Sequence, residues 1–193
     1  RRRSCQTVMA LIIERLAAAI APVLCHMAED IWQNIPYSTG TESVFQSGWP
    51  SVPEEWRDDS LHAPMQELRE LRAAVNKVME ECRSKRKLGA SLEAAVRIEA
   101  RSPALKDALH WLQSKGDQEV DGLRDWLLVS QLQIGGEPWA ELMASDDNEL
   151  AVIEVALSRG EKCERCWHYE SDIGQHSDHP SLCGRCVSVL ERR

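Results

Sequence analysis

The chain is 193 residues long with a formal charge of −8, enough for one sizeable core plus a small appendage. Taken whole, it is not a polycation that seeks DNA. No stretch approaches the roughly 18–20 unbroken apolar residues of a membrane span, so no membrane partner is expected. Arg1-Arg2-Arg3 before apolar residues imitates a signal peptide, but Glu14 and Arg15 break that run and it continues at helical spacing. Because the chain opens without Met inside what reads as a helix, a fragment of a longer protein is expected.

Residues 4 to 35 read as strongly helical. Val8, Leu11, Ile12, Leu16, Ala19, Ile20, Val23, Leu24, Met27, Ala28, Ile31 and Ile35 recur at three and four, which predicts one buried stripe. Pro22 marks a break and is expected in the first turn of a second helix. Residues 36 to 60, with Pro36, Gly40, Gly48, Pro50 and Pro53, read as a long loop pinned by Trp49 and Trp56. A third helix, about 61 to 87, puts Leu68, Leu71, Val75, Val78, Met79 and Cys82 on one face.

After Gly89 the period becomes two. Leu92, Ala94, Val96 and Ile98 alternate with Glu93, Ala95, Arg97 and Glu99, a half-buried strand. Pro103 to Gln113 reads as a short helix ended near Gly116. Two further strands are expected at 126–134 and 150–157. The fold class that follows is mainly α with a small α+β module. The expected domains are 1–88 (helical), 89–158 (α+β) and 159–193 (cysteine-rich).

Cys163-Glu164-Arg165-Cys166 and Cys183-Gly184-Arg185-Cys186 form two C-x2-C knuckles sixteen residues apart. A thiolate pair two residues apart grips one ion from a tight turn, and two such pairs complete a tetrahedral shell of four sulfurs suited to Zn²⁺. Cys163, Cys166, Cys183 and Cys186 are thus the candidate ligands of one structural zinc, with no coordination position open for chemistry. Few apolar residues surround them, and the metal replaces a core. His168, His176 and His179 are expected to face solvent or a partner. Cys5, Cys25 and Cys82 stand alone on apolar helical faces, ordinary core use. Clustered and scattered cysteines together suit an intracellular metal protein, not a disulfide framework.

Catalytic signatures are missing: there is no nucleotide-binding glycine fingerprint, phosphate loop or G-x-S-x-G elbow. A basic segment stands out instead. Arg83, Lys85, Arg86, Lys87, Arg97 and Arg101 face only Glu93 and Glu99 between residues 82 and 101. Such a patch can neutralise phosphates, or it can be a solvated helix end whose cations favour the dipole. Trp167, beside Arg165, either stacks on unpaired bases or packs over the knuckle. Lys85, Arg86, Lys87, Arg165 and Trp167 are the candidate RNA contacts.

Ala21-Pro22-Val23-Leu24-Cys25-His26-Met27-Ala28-Glu29-Asp30-Ile31-Trp32 resembles the "apolar-Pro, then A-E-D/E-I-W" helix of anticodon-binding domains in class I aminoacyl-tRNA synthetases. Ser47-Gly48-Trp49-Pro50 looks like the x-x-W-P that follows it there. Val75-Asn76-Lys77 and Leu88-Gly89-Ala90-Ser91-Leu92-Glu93-Ala94 resemble the "L-R-x-x-V-N-K … x-I-G-S-S-L-E-A" run of bacterial-type isoleucyl-tRNA synthetases. Gly160-Glu161-Lys162-Cys163-Glu164-Arg165-Cys166-Trp167 is similar to that family's C-terminal zinc finger. Leu88 and Ala90 depart from the Ile and Ser expected there.

The resemblance implies a helical anticodon-binding bundle followed by a zinc ribbon of paired-cysteine type, the four cysteines matching the family's zinc ligands. It implies an isoleucine-specific tRNA as partner, gripped at its anticodon stem-loop, in a monomeric protein of the cytoplasm or an organelle. The whole enzyme of that family ligates isoleucine to its tRNA with ATP. ATP belongs to an upstream catalytic domain whose HIGH and KMSKS motifs do not occur here. Two other readings stay open: a stand-alone zinc-containing nucleic-acid-binding or protein-interaction module, and the zinc-finger region of a formamidopyrimidine-type DNA glycosylase. The second needs a proline nucleophile and a helix-two-turn-helix upstream.

Overall fold

A computed structural model describes residues 2–115 and 122–191. They fall into two compact units, one up to Asp58 and one from Asp59.

The first unit is a helix pair and a long strap. Helix α1 (Arg2–Ile20) and α2 (Cys25–Gln33) are joined by a tight turn in which the Val23 and Leu24 N–H groups donate to the Ile20 carbonyl. Pro22 lies in this turn, not in the first turn of α2 as expected. The core is small: Ala17, Ala18, Ala21, Ala28, Trp32 and Val44. The helices therefore meet through alanines, whose short side chains set a close approach. The expected stripe is buried only in part: Ala28 is core and Ile20, Ile31 and Ile35 pack on it, whereas Val8, Ile12, Leu16, Val23, Leu24 and Met27 are exposed. Cys5 and Cys25 are exposed as well, and only Cys82 of the three lone cysteines is core.

The strap from Asn34 onward is anchored as expected at one of its two tryptophans. Trp49 is 77% exposed, whereas Trp56 is pinned to α1 by the Arg15 guanidinium 4.7 Å above its ring. Val44 enters the core, and polar groups add to the anchoring. The Glu29 carboxylate accepts the Ser43 hydroxyl at 2.8 Å and the Val44 N–H at 3.0 Å, and the Trp32 indole donates to the Thr41 carbonyl at 3.3 Å. These bonds satisfy backbone groups that a loop this long leaves unpaired.

The second unit is built on a mixed sheet. Strands β1 (Ala94–Ala100), β2 (Gln131–Ile134), β3 (Ala144–Asp147) and β4 (Ala151–Leu157) lie in the order β2-β1-β4-β3. β1 and β2 are parallel and the other pairs antiparallel. Helices α3 (His62–Ser84), α4 (Pro103–Ser114) and α5 (Gly122–Leu127) share one core with the sheet. The predicted face of α3 is the buried one: Leu68, Leu71, Val75, Val78, Met79 and Cys82. Its partners are Val96, Ile98, Ile153 and Val155, so α3 packs with the sheet although the sequence placed it in the helical domain 1–88. Ser102 caps α4 by accepting the Leu105 N–H at 3.0 Å.

Three elements differ from expectation. Residues 122–127 are helical, because Leu123 and Leu127, four apart, both enter the core and the Trp126 indole donates to the Leu68 carbonyl. Only Gln131–Ile134 of the expected strand extends. β3 has no signal in the sequence: Ala-Ser-Asp-Asp carries no strand preference, and it extends because it pairs with β4. β1 is buried on both faces. Its outer face holds Arg97, which meets Glu154 at 3.2 Å and donates to the Gly135 and Gly136 carbonyls. Both glycines have positive φ, which lets the loop after β2 fold over the pair.

Beyond β4 come a two-stranded hairpin, β5 (Glu161–Lys162) with β6 (Tyr169–Glu170), and a last helix, α6 (Gly184–Glu191).

Candidate metal centre and nucleic-acid surface

The hairpin and the start of α6 each deliver one cysteine pair. Cys163 and Cys166 occupy the turn after β5, where the Cys163 N–H donates to the His168 carbonyl at 2.8 Å and the Trp167 N–H returns to the Cys163 carbonyl at 2.9 Å. Cys183 and Cys186 flank the first turn of α6. All four sulfurs lie within 4.8 Å of one another, and Cys163, Cys183 and Cys186 are buried. Among the described residues, the other apolar members of this cluster are Ile173 and Leu182.

The donor set fits zinc. Zn–S bonds of about 2.3 Å in a tetrahedron place sulfurs roughly 3.8 Å apart. The Cys166 and Cys183 sulfurs are 3.7 Å apart. Burial by itself pushes the Cys163 thiol up, yet the backbone N–H groups of Cys166, Cys183 and Arg165 outweigh it and hold it at about 6. Burial pushes Cys166 up to about 11 and raises Cys183 as well. Thiols pushed up in this way, Cys166 and Cys183, ionise beside a central cation, and a divalent ion supplies it. With four thiolates bound, no open position remains for water or substrate.

The ribbon is fastened to the sheet domain. Arg124 on α5 meets Glu170 at 3.1 Å, and Arg185 on α6 approaches Asp125 at 3.8 Å. The Tyr169 N–H donates to Ser130 Oγ at 2.8 Å, and Gln131 trades two hydrogen bonds with the Arg159 backbone. His168 lies in this joint, 8% exposed, and is not solvent-facing as expected. Burial, reinforced by Arg124, lowers its pKa and keeps the imidazole neutral.

The candidate RNA contacts fall in two places. Lys85, Arg86 and Lys87 follow the last turn of α3, exposed, with Lys85 already paired to Glu81. Arg86 and Lys87 have no salt bridge among the described residues. The wider basic segment is smaller than its residue count. Arg97 is spent on Glu154, Arg101 on Asp147 and Arg83 on Glu80. Arg165 and Trp167 sit in the first knuckle. The Cys186 sulfur raises the pKa of the Arg165 guanidinium beside it. Trp167 is 61% exposed at a φ of 67, with the Lys162 ammonium 5.2 Å from its ring. No hydrogen bond or ion pair among the described residues joins the two groups. Lys162 was missed by sequence reading; the hairpin register pairs it with Tyr169, and its ammonium lies over Trp167.

Known proteins resemble both ends of this chain. Residues 160–189 match the family described as "Zinc finger found in FPG and IleRS", and the cofactor of this finger is a structural zinc. The isoleucine–tRNA ligase of Synechococcus sp. (strain CC9311) is 92% identical over all 193 residues, which span 20% of that protein. Those of Prochlorococcus marinus (strain MIT 9313) and Parasynechococcus marenigrum (strain WH8102) are each 72% identical over 193 residues, again 20% of their length. Residues 1–98 match the family described as "Anticodon-binding domain of tRNA ligase". With that match over the first half of its length, the chain belongs to the anticodon-binding domain family of tRNA ligases.

Proposed function

We propose that this chain is the tRNA-binding part of an isoleucine–tRNA ligase. Cys163, Cys166, Cys183 and Cys186 hold its one structural zinc. The observation that carries this reading is the pairing, in one chain, of an anticodon-binding domain with a four-cysteine finger that presents an exposed indole. The helical part up to residue 88 docks along the anticodon stem. The module of 89–158 and the ribbon of 159–193 clasp the loop. The whole ligase joins isoleucine to its tRNA with ATP, in the cytoplasm or an organelle and as a monomer, its catalytic motifs lying outside these 193 residues.

An anticodon loop is a suitable target because its bases are unpaired and can be splayed onto aromatic and guanidinium planes. Trp167 supplies the plane, with Arg165 and Lys162 beside it. Arg86 and Lys87, with Lys85, supply phosphate contacts. The match of the finger to the one found in FPG raises the DNA-glycosylase reading, but the anticodon-binding match over 1–98 favours RNA.

The test is a salt titration of the chain against an isoleucine tRNA anticodon stem-loop and one with a swapped anticodon. Tighter binding to the first, weakening with salt, supports the reading, and equal or absent binding refutes it. Trp167→Gly removes the indole and also relaxes the positive φ, so zinc affinity should hold while stem-loop binding falls by about 1–3 kcal/mol. Lys87→Ala should lower the salt slope by roughly 0.7–0.9.

A further inference from the structure

The two knuckles are held in different ways. In the first, a backbone N–H turns onto the Cys163 sulfur: that of Cys183 reaches it at 3.4 Å. In the second, the Gly184 N–H, directly after Cys183, is taken at 2.7 Å by the side chain of Asp172, twelve residues away. His176 Nε2 stands 3.5 Å from the same Oδ2. The three groups fill the space between them, for a Cβ on Gly184 would come within 2.8 Å of the Asp172 carboxylate and 3.2 Å of His176. Asp172 is fixed in turn by the backbone around it. The Gln175 N–H donates to its carbonyl at 3.1 Å, and the Gly174 N–H closes onto Pro180 at 2.9 Å. The next residue, Ile173, packs on the cysteine cluster.

From this clamp we propose that Asp172 is a positioning residue for the zinc, setting the first turn of α6 so that Cys183 and Cys186 both reach the ion. The inference rests on the four-cysteine ligand set. A carboxylate is the right group at this place: it accepts an otherwise unpaired N–H at a helix N-terminus, where the dipole favours negative charge. The groups that orient metal ligands from outside the coordination sphere carry affinity nearly as the ligands do.

The experiment uses the full chain and zinc itself, with the dissociation constant read by competition against a chromophoric chelator. Cobalt(II) in the same site reports thiolate geometry through its d–d absorption. Asp172→Ala should weaken zinc binding about 10- to 100-fold, the scale of lost outer-shell support. Its cobalt bands at saturation should be displaced from wild type. Asp172→Asn keeps an oxygen for the Gly184 N–H and should recover most of both. Asp178→Ala, an exposed carboxylate of the same ribbon, should change neither. Wild-type affinity in Asp172→Ala overturns the proposal, and so does an Asn variant as weak as the Ala variant. If the wild-type chain takes up no zinc, or Cys183→Ser binds it as tightly, the ligand set itself is refuted.

Discussion

Arg97 and Glu154 show how much a single pair of side chains decides. Their side chains are 5% and 8% exposed and meet across neighbouring strands at 3.2 Å, beneath the loop that follows β2. Two charges removed from water are tolerated because each is fully engaged. Arg97 also serves the carbonyls of Gly135 and Gly136, and Glu154 also takes the Trp139 N–H at 3.1 Å. Truncating one partner strands the other, so Glu154→Ala should cost about 3–5 kcal/mol in urea unfolding, while replacing both with apolar residues should cost far less. Glu29 acts alike in the first unit, but in the open. Hydrogen bonds from Gln33 and Ser43 hold its carboxylate below the ordinary range against a small opposing effect of burial. Its folded pKa is the lower one, so the strap is fully held above the unfolded carboxylate value and released as pH falls through the folded one. The Val44 amide resonance should shift in that acid window, and should not titrate there in Glu29→Gln.

Among elements, the ribbon hairpin depends on one glycine. Gly160 has a φ of 96, and a Cβ there would collide with the Glu170 carbonyl, the partner backbone of the β5–β6 pair. Gly160→Ala should therefore open the hairpin and weaken zinc binding, measured by chelator competition, with the melting of the sheet domain nearly unchanged. Elements with a strong period were readable from residues alone. All six predicted positions of α3 are buried, and β4 runs Ala151–Leu157 within the expected span. Weak periods misled. In α1 Val8, Ile12 and Leu16 stay exposed while Ala17 and Ala18 are buried with Ile20 against them, and the packing of α2 makes that choice. Residues 126–134 read as one strand, but Leu123 and Leu127 lie one helical turn apart over the core and only Gln131–Ile134 extends.

At the scale of the whole chain, metal and packing divide the labour. The ribbon's own cluster is four cysteines with Ile173 and Leu182, too little to fold by burial, whereas the sheet domain has a core of its own. Chelating zinc should unfold the ribbon while α1 to α5 and the four-stranded sheet persist; Cys183→Ser should do the same. Amide spectra with and without chelator check this, and a ribbon unchanged after metal removal would refute it. What the sequence determined unaided was what short spacing sets: the two cysteine knuckles, the α3 face and the helix that starts at Pro103. Those features are local, so a window of a few residues contains the whole physical cause. The tertiary structure alone decided which charges are free, since Arg97 and Arg101 are neutralised by residues of other strands and Arg83 by its own helix. It alone decided that His168 is buried, that α3 packs with the sheet, and that Asp172 reaches Gly184. Long-range contacts pair groups whose separation along the chain carries no signal, and only the folded backbone brings them within bonding distance.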